Sequence, residues 1–431
     1  MVFFSGQRMG DAVTAQANSD RGHAVVIGAG IVGLCCGTYL QRDGWQVTWI
    51  DPRGPGEGCS YGNAGQRSDA TFLPLATPGV LKRVPGMLMD PMGPLTIRWA
   101  YLPSLLPWLL RFVASATPEK VEAFMRDFGA MMAHARKSYE PIVAEAGLAD
   151  LIRPRGALEV FETKTAFDNI QTSVKMRQRH GVPLNVVGPE EIRQIEPALG
   201  GSFAGGIHRT DMDTVINPLK HSQRIADLAA RRGGRFVRGE AKRIERKGDG
   251  KSTVHTDGAP LSADLVVVAA GALSKKFAKQ AGARVPLDTE RGYHAMLPNP
   301  GVELRIPVKS AEGGFYMTPM ELGLRIAGTD ELASIHAPPD YRRVDPMIKR
   351  AKRLVPGLNT EGAVPWMGMR PSLPDSKPVI GPAPGAPGVM LAFGHDHFGL
   401  TLGAVTGKAI ADLVAGRKTD FDVAPFSADR F

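Results

Sequence analysis

The stretch from His23 to Asp51 constrains this chain more than any other. A short apolar run, Ala24 to Ile27, leads directly into Gly28-Ala29-Gly30-Ile31-Val32-Gly33. A helical pattern follows through Leu34, Tyr39 and Leu40. Then come Gly44 and a second apolar run, Val47 to Ile50, closed by Asp51. Strand, glycine turn, helix, strand and acid in that order predict a βαβ unit that binds a dinucleotide. Gly28 allows the tight turn, Gly30 admits a pyrophosphate close to the backbone, and Gly33 lets the helix pack on the strand. The helix N-terminus, at Ile31 and Val32, offers free N–H groups and a positive dipole end to phosphates. Asp51 stands 51 − 33 = 18 residues past the last glycine, near the roughly 20 expected of an acid that binds a ribose hydroxyl.

A chain of 431 residues holds more than this unit, so two or three domains or one large interleaved α/β body are expected. After Asp51 come Pro52-Arg53 and a glycine-rich loop. Such a loop winds backbone close to a ligand, and Ser60, Asn63 and the N–H groups of Ala64, Gly65 and Gln66 are candidates to reach it. The apolar run Leu102 to Val113 is too short to span a membrane and holds two prolines. Core packing is favoured for it over an interfacial patch anchored by Trp99, Tyr101 and Trp108. Helical patterns cover about 128–146 and 165–180, with a strand-like Gly156 to Phe161 between them. Asn217-Pro218 starts a helix that stops at Gly233-Gly234.

The run Ala263 to Gly271, ending in Ala-Gly, reads as another central parallel strand that meets a ligand at its C-terminal end. Gly292 to Leu297, Gly314 to Thr318 and Leu322 to Ala327 read as an antiparallel platform for substrate. An amphipathic basic helix covers 344–355. A strand, Val389 to Phe393, then a loop and a helix from Leu400 to about Val414 close the pattern. The expected fold class is α/β: a discontinuous Rossmann-type domain over 23–75, 200–285 and 365–431, with a second, antiparallel-sheet α+β substrate domain over 76–199 and 286–364. Residues 1–22 are expected to be a disordered tail.

The net charge is +9, which suits anionic substrates or a weak membrane preference. Lysine and arginine are spread in pieces such as Arg231-Arg232, Lys275-Lys276 and Arg342-Arg343. No basic run interleaves with aromatics, so no nucleic-acid partner is expected. Three cysteines, Cys35, Cys36 and Cys59, make neither a disulfide framework nor a zinc site. His395, Asp396 and His397 would need a distant further ligand to hold a metal, so none is expected.

Four further motifs narrow the reading: Ser60-x-x-Asn63-Ala64-Gly65, the run Val266 to Ala272, Trp366-x-Gly368-x-Arg370-Pro371-x-x-Pro374-Asp375, and Gly394-His395-x-His397-x-Gly399-x-Thr401. With the opening fingerprint they make the chain resemble the FAD-dependent D-amino-acid dehydrogenases and glycine/sarcosine-oxidase type oxidoreductases over nearly all of 23–425. Pro55 to Gly58, Asp90 to Leu95, Pro286 to His294 and Thr318 to Glu321 are similar to the glyphosate-oxidoreductase-like branch, which oxidises secondary amines bearing a carboxylate. Two places depart from the pattern: Asp396, where glycine is common, and Gln66 to Asp69.

The resemblance implies FAD held without a covalent bond, since Trp366 to Asp375 contains no cysteine and Cys59 lies in the wrong loop for the usual linkage. It implies cofactor contacts from Ile31, Val32, Pro52 and Arg53, from Ala270 and Gly271, from Gly368 and Arg370, and from Gly394 with His397, Phe398, Gly399, Leu400 and Thr401. The implied chemistry is hydride transfer from the α-carbon of a D-amino acid or N-substituted glycine to the flavin, leaving an imine that hydrolyses to an oxo acid. The protein then supplies orientation, desolvation and matching charge. Arg370 would orient the substrate carboxylate with its guanidinium fork; the alternative is a structural pair with Asp375. Tyr293, His294 and Tyr316 lie on platform strands where side chains can close the pocket; each alone fits core or surface equally well, and at least one of the three is expected at the site. One of His395 and His397 is expected at the flavin and the other in a structural role, with Asp396 solvated.

Electrons are expected to pass to a quinone or to oxygen, with dehydrogenase chemistry favoured. The expected location is cytoplasmic, with peripheral contact on the inner face of the plasma membrane. A nicotinamide-dependent dehydrogenase explains the opening motif but not Ser60 to Gly65 or the C-terminal loop. A non-catalytic electron-transfer flavoprotein would bind FAD that no amine reduces.

Overall fold

The strand His23–Ile27 runs parallel to Gln46–Asp51 on one side and Leu265–Val268 on the other. This computed structural model describes residues 21–431 other than 71, 91, 92 and 249; the tail expected over 1–22 falls, up to residue 20, outside the described residues. The three strands centre a six-stranded sheet ordered Arg235–Arg238, Gln46–Asp51, His23–Ile27, Leu265–Val268, Val389–Phe393, Val379–Pro382. Only the last strand is antiparallel to its neighbour. The central strands are continuously apolar because both faces are covered. The helices Ile31–Arg42, Pro218–Arg231 and Gly399–Val414 pack on one face. The small antiparallel sheet of Ala241–Arg246, Ser252–Thr256 and Leu261–Ala263 contributes to the core on the other. Strand order reverses at His23–Ile27, so a ligand crevice is expected past the carboxyl ends of that strand and of Leu265–Val268.

The second sheet has nine strands. Its path is Val364–Ser372, Asp288–Leu297, Gly323–Leu332, Phe315–Met320, Val308–Ser310, Ala157–Phe161, Gly205–Arg209, Leu184–Val187, and Leu95–Ile97 joins at Gly323–Leu332. The expected platform is antiparallel over the first four of these. The joints of Val308–Ser310 with Ala157–Phe161 and of Leu95–Ile97 with Gly323–Leu332 are parallel, so the whole sheet is mixed.

Several elements cross the expected domain boundaries. Gly205–Arg209 and Val364–Ser372 belong to the large sheet. The helices Pro118–Met132 and Ala135–Ala146 bury Phe124, Phe128, Met131 and Tyr139 in the core of the dinucleotide domain. Periodicity identifies the apolar face of a helix but not the surface it meets. The single helix expected over 128–146 breaks at Ala133–His134, and that over 165–180 at Ile170. The helix at Pro218 starts as expected, with the Asn217 side chain accepting a hydrogen bond from Lys220 N at 3.0 Å. The Leu102–Ala114 helix meets the core expectation on one side only: Leu105 and Trp108 are buried with Ile97 and Leu332, while Leu106, Leu110 and Val113 are exposed.

Candidate active site

The opening turn is built for close approach. Gly28 has φ +109°, and a methyl group there would lie 2.4 Å from Ala269 O; one at Gly33 would lie 2.1 Å from Gly28 O. Gly30 differs. A methyl group there meets only Ser60 Oγ, at 3.4 Å, so the space above it is open. Ser60 Oγ accepts a hydrogen bond from Ile31 N at 2.9 Å. Gly30 itself supplies no side-chain cap, which leaves first-turn N–H groups at Val32 and Gly33 for an anion. The Gly399–Val414 helix begins beside them: a methyl group at Gly399 would sit 3.8 Å from both Ile31 and Val32. Its N-cap, Phe398, offers no side-chain cap either, so two positive helix ends stand side by side.

Asp51 closes the second strand, with Oδ2 accepting from Ala29 N (3.0 Å) and Oδ1 from Arg53 N (2.9 Å), across Pro52. Across the crevice, Ala270 and Gly271 (φ +57°) end the neighbouring parallel strand. Gly394 (φ +83°) turns the chain out of Val389–Phe393.

The loop after Asp51 is tied to the large sheet. Arg325 Nη1 donates to Tyr61 O (2.9 Å) and Asn63 O (2.6 Å), and burial pushes this guanidinium down to about 10. Asn63 Oδ1 accepts from Gly65 N at 2.7 Å, a local turn that leaves Asn63 structural. Gln66 Nε2 donates to Ala64 O (3.2 Å), and Thr401 Oγ1 donates to Gln66 O (3.4 Å), which joins loop and closing helix. Along this seam Gln66 Oε1, Thr318 Oγ1, Thr329 Oγ1, Arg325 Nε and both Asp396 carboxylate oxygens are buried without a hydrogen-bond partner among the described residues. Unsatisfied buried polar groups are costly. Together with the open Gly30 and the paired helix ends, they fit an extended polar ligand such as FAD.

Alternation places Glu290, Gly292 and His294 on one face of Asp288–Leu297, with Arg291 and Tyr293 on the other. His294 stacks on Trp366 (4.9 Å), and its Nδ1 lies 3.3 Å from Gly62 O. Burial, with Arg325 nearby, pushes its ring down to about 3, so it is neutral. The Arg370 guanidinium lies over Gly292: a methyl group there would come within 2.2 Å of Nη2 and 2.3 Å of Cζ. Gly368, opposite Gly292 in the register, lies under the Trp366 ring. Arg370 Nη1 donates to Thr329 O (3.2 Å) and to the Asp330 carboxylate. The pair with Asp375 does not form; Asp375 holds Arg430 at 2.7 Å. Glu290, which accepts from Ser372 Oγ at 2.8 Å, completes the group. Burial and the Asp396 and Asp330 charges raise its carboxyl well above the usual range.

Two expectations change. Tyr293 faces away from Arg370 and His294. Its hydroxyl donates to Glu331 Oε2 (2.6 Å) and accepts from Asp340 N (3.1 Å), and its ring belongs to the core behind the sheet, because neighbouring strand residues point to opposite faces. Asp396 is not solvated: it is 6% exposed, with φ +50°, in the turn before the closing helix. The two histidines separate. His395 is buried with Nε2 2.8 Å from Thr406 Oγ1, and burial pushes it down to about 3. His397 is partly exposed against Phe398, 3.4 Å from Asp396.

Tyr316 shares the face of His294 through the register Tyr316–Ala327–His294. It lies beside the Lys309–Glu159 pair (2.8 Å), and burial raises its phenol. Sequence reasoning missed Glu290, Asp330 and Arg325. The two-residue period through Gly292 and His294 points to Glu290. Asp330 follows Thr329, whose φ of +57° marks an irregularity that no residue pattern announces. Among the described residues no group of three or more His, Cys, Asp or Glu is placed to hold a metal ion.

Comparison with known proteins agrees with this geometry. Residues 23–413 match the family model described as FAD dependent oxidoreductase. A D-amino-acid oxidase of Bradyrhizobium diazoefficiens is 36% identical, covering 95% of this chain and 99% of that protein. A D-amino acid dehydrogenase of Paramagnetospirillum magneticum is 33% identical, covering 94% and 98%. Among solved structures, glycine oxidase from Geobacillus kaustophilus superposes with a TM-score of 0.72 at 22% identity, covering 95% of this chain and 99% of that one. That last likeness speaks for the fold.

Proposed function

The chain belongs to the family of FAD-dependent oxidoreductases, and on that premise we propose that it oxidises the C–N bond of a carboxylate-bearing amine, a D-amino acid or an N-substituted glycine. The observation that carries this reading is Arg370. Among the described residues its hydrogen bonds all run through Nη1, which leaves the Nε–Nη2 edge over Gly292 as a fork for a carboxylate. The names of the two relatives above, an oxidase and a dehydrogenase of D-amino acids, support the same class.

FAD, when bound, supplies the acceptor for the hydride from the substrate α-carbon. The first-turn N–H groups of Val32 and Gly33 and the N-terminus of the helix at Gly399 would hold its anionic parts, and Asp51 its ribose. Asp330 fixes one edge of Arg370, and Gly292 leaves room for the rest. The His294–Trp366 stack and Tyr316 wall the platform face. His294, being neutral, does not compete with Arg370 for the carboxylate. No strong base is needed when the amine arrives deprotonated, so the protein's contribution is orientation and exclusion of water.

We further propose a lipid-soluble quinone as acceptor, reached by peripheral membrane contact on the cytoplasmic side. No helix among the described residues is long and apolar enough to cross a bilayer, and the outer face of Leu102–Ala114 is apolar and exposed.

The test is spectroscopic. The purified protein is expected to be yellow and to bleach anaerobically with a D-amino acid or N-substituted glycine, then to recover its colour faster with a quinone than with oxygen. Bound FAD that no member of an amine panel reduces would reject the enzyme reading. Arg370→Ala should raise KM for carboxylate substrates without lowering FAD content, and unchanged kinetics would remove Arg370 from its role.

A further inference from the structure

Two helices of this chain are apolar where they meet solvent. In Leu102–Ala114 the inner side buries Leu105 and Trp108, while Leu106, Leu110 and Val113 are 49%, 63% and 54% exposed. These three recur at i, i+4 and i+7, one continuous face. The helix Pro78–Met89 carries Val80, Leu81, Val84, Met87, Leu88 and Met89, yet none of its described residues is buried. Met89 is 77% exposed and Trp99, between the helices, 67%. Of the eleven exposed large apolar side chains among the described residues, five come from this one segment and the other six from six separate segments. The concentration marks a patch rather than ordinary scatter.

Charge indicates what covers it. Residues 78–114 contain Lys82, Arg83, Arg98 and Arg111 against a single acid, Asp90; Arg98 is turned to Glu331 at 2.6 Å, so the cations of the patch are those of the two helices. Lys82 and Arg111 are exposed on the two helices. An apolar face with cations along it and an exposed tryptophan at its edge matches the headgroup boundary of an anionic bilayer. Two copies set face to face would set one basic face, with Lys82 and Arg111, against another with little opposing acid.

The patch is also mechanically joined to the site. Leu95–Ile97 pairs with Asp330–Leu332, Pro94 O accepts from Asp330 N at 2.7 Å, and Tyr101 Oη donates to Asp288 at 3.0 Å. Asp330 is the residue that holds Arg370.

We propose that the Pro78–Met89 and Leu102–Ala114 helices form a docking surface for an anionic phospholipid membrane, entered by Trp99, Leu106, Leu110 and Val113. The docked orientation sets the bilayer one strand away from the substrate site. The inference goes with the quinone reading above, but its experiment reads lipid binding rather than turnover, so either can fail alone.

The full-length, FAD-loaded protein is sedimented with vesicles of pure phosphatidylcholine and with vesicles containing phosphatidylglycerol. Binding is expected to the second only, and to weaken as salt rises. The double variant Leu106→Glu/Leu110→Glu should need at least about tenfold more lipid for half-binding. Leu322→Glu, at an exposed leucine elsewhere, should bind like the parent. FAD absorbance and amine-driven bleaching should be unchanged in both. Trp99→Ala, a milder change, should weaken binding as well. A parent that ignores anionic vesicles overturns the proposal, as does a double variant that binds them undiminished. A lipid-free dimer that the double variant splits, without vesicle binding, would assign the face to a second copy instead. Bleaching lost with lipid binding intact would leave the docking surface standing and remove the substrate reading.

Discussion

Gly292→Ala isolates the contact on which the proposed substrate class depends. The added methyl group would sit 2.2 Å from Arg370 Nη2, 2.3 Å from Cζ and 2.8 Å from Nε. Ordinary contact needs about 3.5 Å, so something must move by about 1 Å or more. The near atoms are the far end of a flexible side chain, so the guanidinium yields and the strand does not. Displacing it breaks the alignment of the Nε–Nη2 edge with a carboxylate. A charge-assisted hydrogen bond of this kind contributes about 1.5–3 kcal/mol, so kcat/KM should fall about ten- to 150-fold. The assay is steady-state oxidation of a carboxylate-bearing amine and of a matched amine lacking the carboxylate, with FAD content measured on each preparation. The loss should be confined to the first substrate, and FAD content should match the parent. Equal losses on both amines, or none on the carboxylate, would refute the assignment of that edge to the substrate.

Other expectations follow from burial and backbone. His221, His294 and His395 are all pushed down to about 3 by burial, so the folded chain binds fewer protons than the unfolded one below about 6.5. Their contribution to stability is full above that pH and is lost as pH falls toward 3, at up to about 1.4 kcal/mol per pH unit for each ring. Urea titrations at a series of pH values should show this slope, and it should be shallower in His395→Gln. Asp396→Gly removes a left-handed non-glycine residue and a buried carboxylate without a hydrogen-bond partner. Denaturation of the FAD-free protein should show a gain of at least about 1 kcal/mol, and a loss would show that Asp396 is satisfied by the protein itself. Arg325→Met releases the carbonyls of Tyr61 and Asn63. FAD titration by flavin fluorescence should show a Kd higher by about tenfold, with little change in substrate KM once FAD saturates.

Local chemistry was legible in the residue order. The glycine turn, Asp51, the Asn217-Pro218 helix start and the strand Val389–Phe393 all follow from short-range rules, and the structure has them where those rules put them. What the order does not carry is partnership across distance. Arg370 is conspicuous by its motif, yet nothing near it in sequence says that its partner is Asp330, forty residues earlier, rather than Asp375. Tyr293 and His294 are equally plausible as site residues until the sheet shows which face is which. Asp396 reads as a solvated acid because its left-handed turn belongs to the loop conformation and not to its residue type. The apolar run after Trp99 reads as core because a one-dimensional pattern cannot show that only one side of the helix has something to pack against.

The side-by-side start of the Ile31–Arg42 and Gly399–Val414 helices has a consequence for how the protein is made. Their packing is intimate, since a methyl group at Gly407 would lie 2.6 Å from the Cys35 carbonyl. Yet the two segments emerge from the ribosome some 370 residues apart. At roughly 5–20 residues per second, the first half of the cradle waits on the order of 20–70 s for the second. Until then the opening helix keeps uncovered the flank at Ile31 and Cys35 that Gly403 and Gly407 of the closing helix meet. A nascent chain stopped anywhere before Gly399 carries the whole dinucleotide fingerprint but only half of the paired helix ends. Stable capture of the cofactor is therefore expected only after Gly399–Val414 has been made, and retention of FAD reports that the polypeptide has been read through that helix.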